Sequence, residues 1–311
     1  MNIFLWHVHG SWTTSFVQGK HTYYLPVLPD RGPNGRGRAQ TWNWPASAIE
    51  VPPEEIKSLK LDAIIFQRPE EYEDLSPRWF VRKQNARMFY VEHNCPQGRI
   101  NEMRHPAADD ATVTVVHVTH FNDLFWDCGS ARTAVIEHGV VDPGYRYTGE
   151  LPRGAIVVNE PVRRARVTGT DLIARFAEIA PIDLFGMQIA ALRSEHVNVY
   201  ENLRQAELHE QLPRRRAYIH PLRWTSLGLS LIEAMHLGMP VVALAATEAV
   251  HAVPRGAGFI DTDVRALQDA FAQLIAQPEL AREMGKRARD AALARYSLQR
   301  FLDDWDALLG S

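Results

Sequence analysis

The sequence predicts an α/β protein made of two doubly wound units, each a parallel sheet with helices on both faces. Three observations predict it. Short apolar runs rich in Val and Ile, with few charges, alternate along the chain with stretches of helical periodicity, the pattern of strands covered on both faces. The connections between those runs are long enough for crossover helices. The chain has 311 residues, which suits two domains of about 150 residues each.

In the first half the expected strands are residues 2–7, 63–66, 87–91, 112–118 and 133–136. In the second half they are 155–159, 182–185, 197–200, 217–219, 240–243 and 258–260. Helices are expected over 170–179 and 229–237 between strands, and over 264–276, 278–295 and 298–309 at the end. The last carries Phe301, Trp305, Leu308 and Leu309 on one side at helical spacing. The stretch 137–154, rich in Gly and Pro, is the expected boundary. It divides the chain into 1–145, 146–292 and a terminal helix, 293–311. Segment 29–53, rich in Pro and Gly, reads as a long irregular excursion without regular structure.

Composition excludes several classes. Hydrophobic residues are 46% and charged residues 23%, and the net charge is −3, so there is no global pull towards nucleic acid. Arginines cluster locally at 163–166 and 214–216. Two cysteines, Cys95 and Cys128, argue against a disulfide scaffold and fit a reducing cytoplasm. The first residues lack the pattern of a signal peptide, and no apolar run reaches the ~20 residues that span a bilayer. A cytoplasmic location is expected, with peripheral membrane contact left open.

The densest motif is His220-Pro-Leu-Arg-Trp-Thr-Ser-Leu-Gly-Leu-Ser-Leu-Ile-Glu-Ala-Met-His-Leu-Gly-Met-Pro-Val-Val242. It reads as strand, loop, helix, strand. Pro221 stops the first strand, Thr225 and Ser226 are good N-caps, and Gly228 lets backbone approach something closely. Gly238 suits a helix C-terminus and Pro240 prevents continuation. Loops at the C-terminal edge of an open sheet are where such folds bind ligands. The N–H groups of Ser226, Leu227, Gly228 and Leu229, with the helix dipole, can hold a diphosphate. Glu233, a turn deeper, cannot bind phosphate but can accept hydrogen bonds from ribose hydroxyls. A cap followed by Glu is, taken alone, more often only a helix start.

The whole string resembles the retaining GT-B glycosyltransferases of the large family four. Pro221, Gly228, Leu229, Glu233, Ala234, Met235, Gly238, Pro240, Val241 and Val242 match that family's block. One position departs: the family's E-x7-E motif has an acid where this chain has Thr225, which keeps a hydrogen-bonding group beside the transferred sugar but not the charge. The resemblance implies the GT-B fold, two Rossmann-like domains facing a central cleft, with a C-terminal helix crossing back to the N-domain. It also implies transfer of a sugar from a nucleoside-diphosphate sugar to an acceptor hydroxyl, hexosyltransferase-like, with retention and without a metal or other cofactor. The expected partners are then a nucleotide sugar and a hydroxyl acceptor.

Further positions carry the resemblance. Aligning Gly169 with the glycine of the family's Arg-x4-Lys-Gly puts Arg163 on its Arg and Thr168 on its Lys. Arg164 or Arg166 then supplies the second positive charge for a departing diphosphate. An arginine run is also, more plainly, a solvated face. After the first strand, Gly10 fits the family's glycine-bearing loop and Ser11 stands for its second glycine. His93 resembles the strand-end histidine near the transferred sugar, and His220 follows the strand that leads into the donor loop. Residues 119–125, 135–142 and 295–305 resemble the family's corresponding segments.

Other chemistries lack their motifs. There is no G-x-x-x-x-G-K-[ST], no G-x-G-x-x-G after a strand and no G-x-S-x-G elbow. His7 and His9 share a strand face, but no acid lies near in sequence, so packing is the expected role. Two alternatives stay open. One is a non-catalytic sugar-nucleotide-binding or partner subunit, motivated by Thr225 and Thr168. The other is a nucleotide-sugar epimerase, which needs acids about the sugar ring that the sequence does not offer.

Overall fold

The computed structural model describes residues 1–311 and falls into two compact units. Unit 1 is Met1–Val141 with Leu298–Ser311, and unit 2 is Asp142–Ser297.

Unit 1 holds strands β1 (Asn2–Leu5), β2 (Thr22–Pro26), β3 (Ala48–Val51), β4 (Ala63–Phe66), β5 (Arg87–Glu92), β6 (Val113–His117) and β7 (Arg132–Val135). Its helices are α1 (Gly10–Phe16), α2 (Pro53–Ile56), α3 (Ser76–Arg78) and α4 (His120–Phe125). The sheet order is β3-β2-β1-β4-β5-β6-β7, all parallel. All four residues of β4 are buried, as a strand covered on both faces requires. Trp6 packs edge-on against Phe4 at 4.8 Å and stacks on Phe66 at 5.9 Å.

Unit 2 holds β8 (Leu151–Val157), β9 (Ile182–Gly186), β10 (Val197–Glu201), β11 (Arg215–His220), β12 (Val241–Leu244) and β13 (Gly258–Asp261). Its helices are α5 (Pro161–Arg164), α6 (Thr170–Ala177), α7 (Gln205–Gln211), α8 (Leu229–His236), α9 (Ala249–Ala252), α10 (Val264–Ala276) and α11 (Pro278–Arg295). The order is β10-β9-β8-β11-β12-β13, again all parallel. The chain then returns to unit 1 as α12 (Leu298–Gly310). Two parallel-sheet units and a last helix that belongs to the first are the elements the resemblance implies.

Each expected strand forms. β2 and β3 were not expected. β3 lies inside the stretch read as irregular and is a four-residue edge strand with an exposed centre, too short to show a period. The stretch before it is also pinned: Arg31 pairs with Glu50 at 2.8 Å, and the Arg38 guanidinium donates to the carbonyls of Trp44, Pro45 and Ala48. Segment 29–53 is therefore structured, held by side chains donating to backbone. β8 begins at Leu151, within the stretch read as a boundary. Pro152 is tolerated because pairing with β9 starts only at Gly154 and the register with β11 shifts between Leu151 and Gly154.

Aromatic packing draws α12 onto α1. Phe301, Trp305 and Leu309 are buried, while Leu308 is only partly so. The Trp305 ring meets Phe16 at 4.9 Å, Trp12 at 5.9 Å and Phe89 at 6.3 Å. In unit 2 a buried ion pair ties β11 to β9: Arg215 Nε donates to Asp183 Oδ2 at 2.7 Å, and the guanidinium lies 5.1 Å and 5.0 Å from the rings of Phe185 and Tyr200. α11 packs so closely on α8 that a Cβ at Gly285 would collide with the carbonyl of Gly238.

In both sheets the strand order reverses at one point. In unit 1, β1 lies between β2 and β4; in unit 2, β8 lies between β9 and β11. At such a switch point the loops leaving two neighbouring strands diverge and open a crevice at the C-terminal edge. Those loops follow β1 and β4 in unit 1, and β8 and β11 in unit 2.

Candidate functional site

In unit 2 the two switch-point loops hold most of the residues singled out from the sequence. The loop after β11 runs from His220 to Gly228 and the loop after β8 carries Arg163, Arg164, Arg166 and Thr168. They are stitched together. The N–H groups of Arg223 and Trp224 donate to Val167 O at 2.9 Å and 3.2 Å. Gly169 sits at φ 70°, in the left-handed region, and a Cβ there would collide with the carbonyl oxygen of Pro221. Only glycine allows that approach. Arg223 adds a fork onto Asp171, at 2.5 Å and 2.9 Å, and donates to Arg166 O at 3.0 Å.

Helix α8 starts at Leu229, with Gly228 as its N-cap at φ −71°, ψ 119°. This corrects the expectation that Thr225 or Ser226 caps it. Leu231 N donates to Gly228 O, which fixes the start, while Ser226 is buried with its carbonyl accepting from Glu248 N at 3.4 Å. The N–H groups of Leu227, Gly228, Leu229 and Ser230 have no backbone acceptor within the protein, which keeps three of the four expected donors and adds Ser230. His220 closes one side. A Cβ on Gly228 would approach its ring carbon Cε1 to 2.9 Å, so the glycine makes room for the imidazole. Burial pushes His220 down to about 4, and its Nδ1 is buried without a partner. It is a neutral ring at pH 7. Leu227 is buried beside it, and Thr225 is half-buried.

The arginine run sorts by partner. Arg163, exposed, is paired with Glu160. Arg166, also exposed, shares Asp171 with Arg223, at 3.0 Å. Arg164 is half-buried and has no carboxylate partner; burial, then the charge of Arg163, holds its guanidinium below the usual range. A desolvated, unneutralised cation is the one of the three that gains most from an anion. Thr168, aligned with a family lysine, is buried, and its hydroxyl donates to Ala165 O at 3.1 Å and lies 3.1 Å from Thr170 Oγ1. It braces the loop and presents nothing to a ligand.

Glu233 is buried on α8, and α7 supplies its neighbours. Gln205 Nε2 donates to Glu233 Oε2 at 2.8 Å, and His209 Nε2 lies 3.6 Å from that oxygen. No local pattern singles out Gln205 or His209, which become neighbours of Glu233 only through the fold.

In unit 1 the loops after β1, β4, β5 and β7 bring His9, Gln67, His93 and His138 together. The rings of His9 and His93 are 4.0 Å apart and those of His93 and His138 6.3 Å, with Trp12 edge-on to His93 at 5.3 Å. Gln67 Nε2 donates to Trp6 O at 2.7 Å, which turns its Oε1 to His93 Nε2 at 3.1 Å. His93 therefore carries its proton on Nε2 and keeps Nδ1 as an acceptor. Burial is the chief cause that lowers all three histidines, His9 to about 4, His138 to about 3 and His93 well below the usual range. Arg300 of α12 donates to the carbonyls of Glu137 and His138 and fixes the last of these loops. His7 and His9 do not act as a pair: His7 Nδ1 lies 3.0 Å from Gly37 O, whereas His9 packs on His93. Gly10 begins α1, and a Cβ there would make only ordinary contacts with Trp42 and His7; Ser11 follows it in the helix, half-buried. Sequence reading found His93 by strand order, gave His9 a packing role and did not single out Gln67 or His138, which no motif marks.

Comparison with known proteins bears on the family and the fold. The family model described as Glycosyl transferases group 1 matches residues 187–291. No curated protein matches the chain. Among solved structures, HepE of Anabaena in complex with UDP superposes with a TM-score of 0.75 at 14% identity, covering 99% of each chain. Sucrose-phosphate synthase from Thermosynechococcus elongatus gives 0.72 at 16% identity, over 99% of this chain and 98% of that one. A glycosyltransferase from Rickettsia africae gives 0.70 at 14% identity, over 99% and 97%. At these identities the likeness establishes the fold. No helix is long and apolar enough to cross a membrane. Residues 187–291, which include α8 and the His220–Gly228 loop, thus match the glycosyl transferases group 1 model, on a chain with a GT-B fold.

Proposed function

We propose that this protein is a glycosyltransferase that moves a sugar from a nucleoside-diphosphate sugar to an acceptor hydroxyl, with retention and without a metal ion. The observation that carries the reading is the stitched pair of loops at the unit 2 switch point. They set the first-turn amides of α8 and the unneutralised Arg164 at one sheet edge, within or beside the segment matched by the family model. HepE structures in complex with UDP and with UDP-glucose add support from a chain of the same fold.

In this mechanism the diphosphate sits on the amides of Gly228, Leu229 and Ser230, and Arg164 takes its negative charge, with Arg163 and Arg166 further out. Glu233, oriented by Gln205, accepts from the ribose hydroxyls. The bond from the anomeric carbon to the phosphate oxygen breaks as the acceptor oxygen bonds the same face. The acceptor proton passes to the departing phosphate oxygen, so no protein base is needed. Charge grows on that phosphate in the transition state, where fixed amides and a guanidinium act best. In unit 1, taken as the acceptor side, His93 is neutral and offers Nδ1 as an acceptor to a hydroxyl of the acceptor.

A thermal-shift screen against UDP, GDP, TDP and ADP tests the donor site. Binding at a hundredfold excess over Kd stabilises by about 2.7 kcal/mol. A panel of the matching sugar nucleotides then reports transfer or hydrolysis. Unchanged donor affinity in Glu233→Ala would falsify the ribose role, and no nucleotide binding at all would sink the donor reading.

One observation favours a second reading, a donor-binding subunit without turnover. Thr168 is buried and hydrogen-bonded at the place where the family carries a lysine. Nucleotide-sugar binding with no transfer to any acceptor class and no hydrolysis would select it.

A further inference from the structure

The segment between β2 and β3 folds back over the C-terminal end of β1. His7 Nδ1 lies 3.0 Å from Gly37 O. Trp44 packs on the His7 ring at 4.8 Å and donates its Nε1–H to Thr14 Oγ1 at 2.8 Å. From the loop after β4, Arg68 donates to Pro33 O at 3.0 Å and to Asn34 Oδ1 at 3.3 Å. Residues 27–47 are therefore fixed onto the two loops that diverge at the unit 1 switch point.

Most charges in this region are already matched. Arg31 is paired with Glu50, and Arg68 with the buried Glu71 at 2.7 Å. The Arg38 guanidinium is occupied by three carbonyls. Arg36 differs. Its backbone is held by a bridge to Val27 and by Arg31 Nη1, which donates to its carbonyl at 3.0 Å. Its side chain is exposed and pairs with no carboxylate. It stands one residue before Gly37, whose carbonyl contacts His7, and its positive charge reaches both His7 and His9. Trp42 is half-exposed in the same segment, with its indole Nε1 3.7 Å from the place a Cβ on Gly10 would occupy. Trp42 and Arg36 thus both belong to the pinned segment around His7, where an indole can stack on a sugar ring and a guanidinium without a carboxylate can bind an anion attached to it.

We infer that residues 27–47 form the acceptor-recognition element of unit 1 and that the acceptor is an anionic sugar, held by Arg36 through its phosphate or carboxylate and by Trp42 through its ring. The inference rests on the reading of unit 1 as the acceptor side. It goes further in naming the acceptor's chemistry and the residues that select it.

Direct binding tests it. The full chain is titrated with a panel of hexose 6-phosphates, the matching hexuronates and the matching neutral hexoses, followed by tryptophan fluorescence and calorimetry. The expected result is at least tenfold tighter binding of one anionic set than of its neutral counterparts, weakened by added salt. The set that binds decides between phosphate and carboxylate. Arg36→Gln removes that preference, Arg36→Lys restores part of it, and Trp42→Phe reduces the fluorescence response. Circular dichroism and the melting temperature confirm that each variant is folded. Equal binding of neutral and anionic sugars, an unaltered preference in Arg36→Gln, or no binding across the panel overturns the inference. UDP affinity is measured alongside: its absence in the wild type counts against the donor site of unit 2, whereas the sugar titrations judge unit 1 separately.

Discussion

Replacing Gly169 by Ala tests whether the stitched loops matter as argued. Gly169 has φ 70° and ψ 26°, a conformation that costs an L-residue about 1–2 kcal/mol. Its new Cβ would also collide with the carbonyl oxygen of Pro221. Backbone cannot rotate away as a side chain can, so the two loops must part. The bonds most exposed to that movement are those from Arg223 N and Trp224 N to Val167 O, worth about 1 kcal/mol each. The sum is about 3–4 kcal/mol. Gly256 provides the control: it has φ 89°, but a Cβ there meets only the flexible Arg287 side chain, at 3.4 Å. Gly256→Ala should cost only the conformational part, about 1–2 kcal/mol. Both variants lose the same unfolded-state entropy, which offsets each by about 0.4–1 kcal/mol. The difference between them, about 2 kcal/mol, therefore isolates the loop contact. Urea denaturation followed by circular dichroism measures it, and UDP titration shows whether displacing the Arg164 loop weakens donor binding. Equal destabilisation by the two substitutions, with equal UDP affinity, would refute the claim that this close approach builds the site.

Three further outcomes are expected. Arg164→Ala should weaken UDP binding by about tenfold to a hundredfold, the loss of a charge-assisted contact; Arg163→Ala, whose charge already lies on Glu160, should change it less than about threefold, and calorimetry compares the two. Asp183→Asn removes the countercharge of the buried Arg215 and should destabilise the protein by about 3–5 kcal/mol, read as a drop in the urea midpoint. Stability should also fall as the pH is lowered from about 6.5 towards 4. An unfolded histidine gains its proton near 6.5, but burial holds His9 uncharged down to about 4 and His138 to about 3. The unfolded chain thus binds more protons across that window, a contribution of about 3 kcal/mol for His9 at its lower end. The slope of unfolding free energy against pH should flatten by about one proton in His138→Gln, and an unchanged slope would contradict the burial of a neutral ring.

The architecture was legible because strands buried on both faces carry their own signal. β4 is Ala-Ile-Ile-Phe, fully buried, and no local preference competes with it. β2 and β3 were missed for opposite reasons. β2 carries two tyrosines and ends on a proline, and β3 is an edge strand of four residues with a glutamate at an inner position. Edge strands need no covered second face, so they lack the continuous apolar run that marks the others. The excursion before β3 misled for a related reason. Proline and glycine forbid a repeating backbone, but not a fixed one, and the guanidinium of Arg38 supplies the order that a ladder would otherwise give.

The site divides along the same line. The His220–Gly228 loop and α8 are contiguous in sequence, so cap chemistry and the glycine could be read before the fold was known, with the cap misplaced by two or three residues. The capping hydroxyls of Thr225 and Ser226 were the better local candidates. Burial of Ser226 against the loop that carries Glu248 overrode them, as tertiary packing does when a side chain is needed elsewhere. What could not be read was which arginine lacks a partner. The resemblance put Arg163 first and Arg164 or Arg166 second, whereas the positions of Glu160 and Asp171 leave Arg164 as the cation without a carboxylate. The same holds in unit 1, where Arg31, Arg36 and Arg38 are near neighbours in sequence and Glu50 and three carbonyls occupy two of them. In each unit the fold occupies the other arginines of the run and leaves one without a carboxylate, and that one is the cation to which the proposed reading gives an anion.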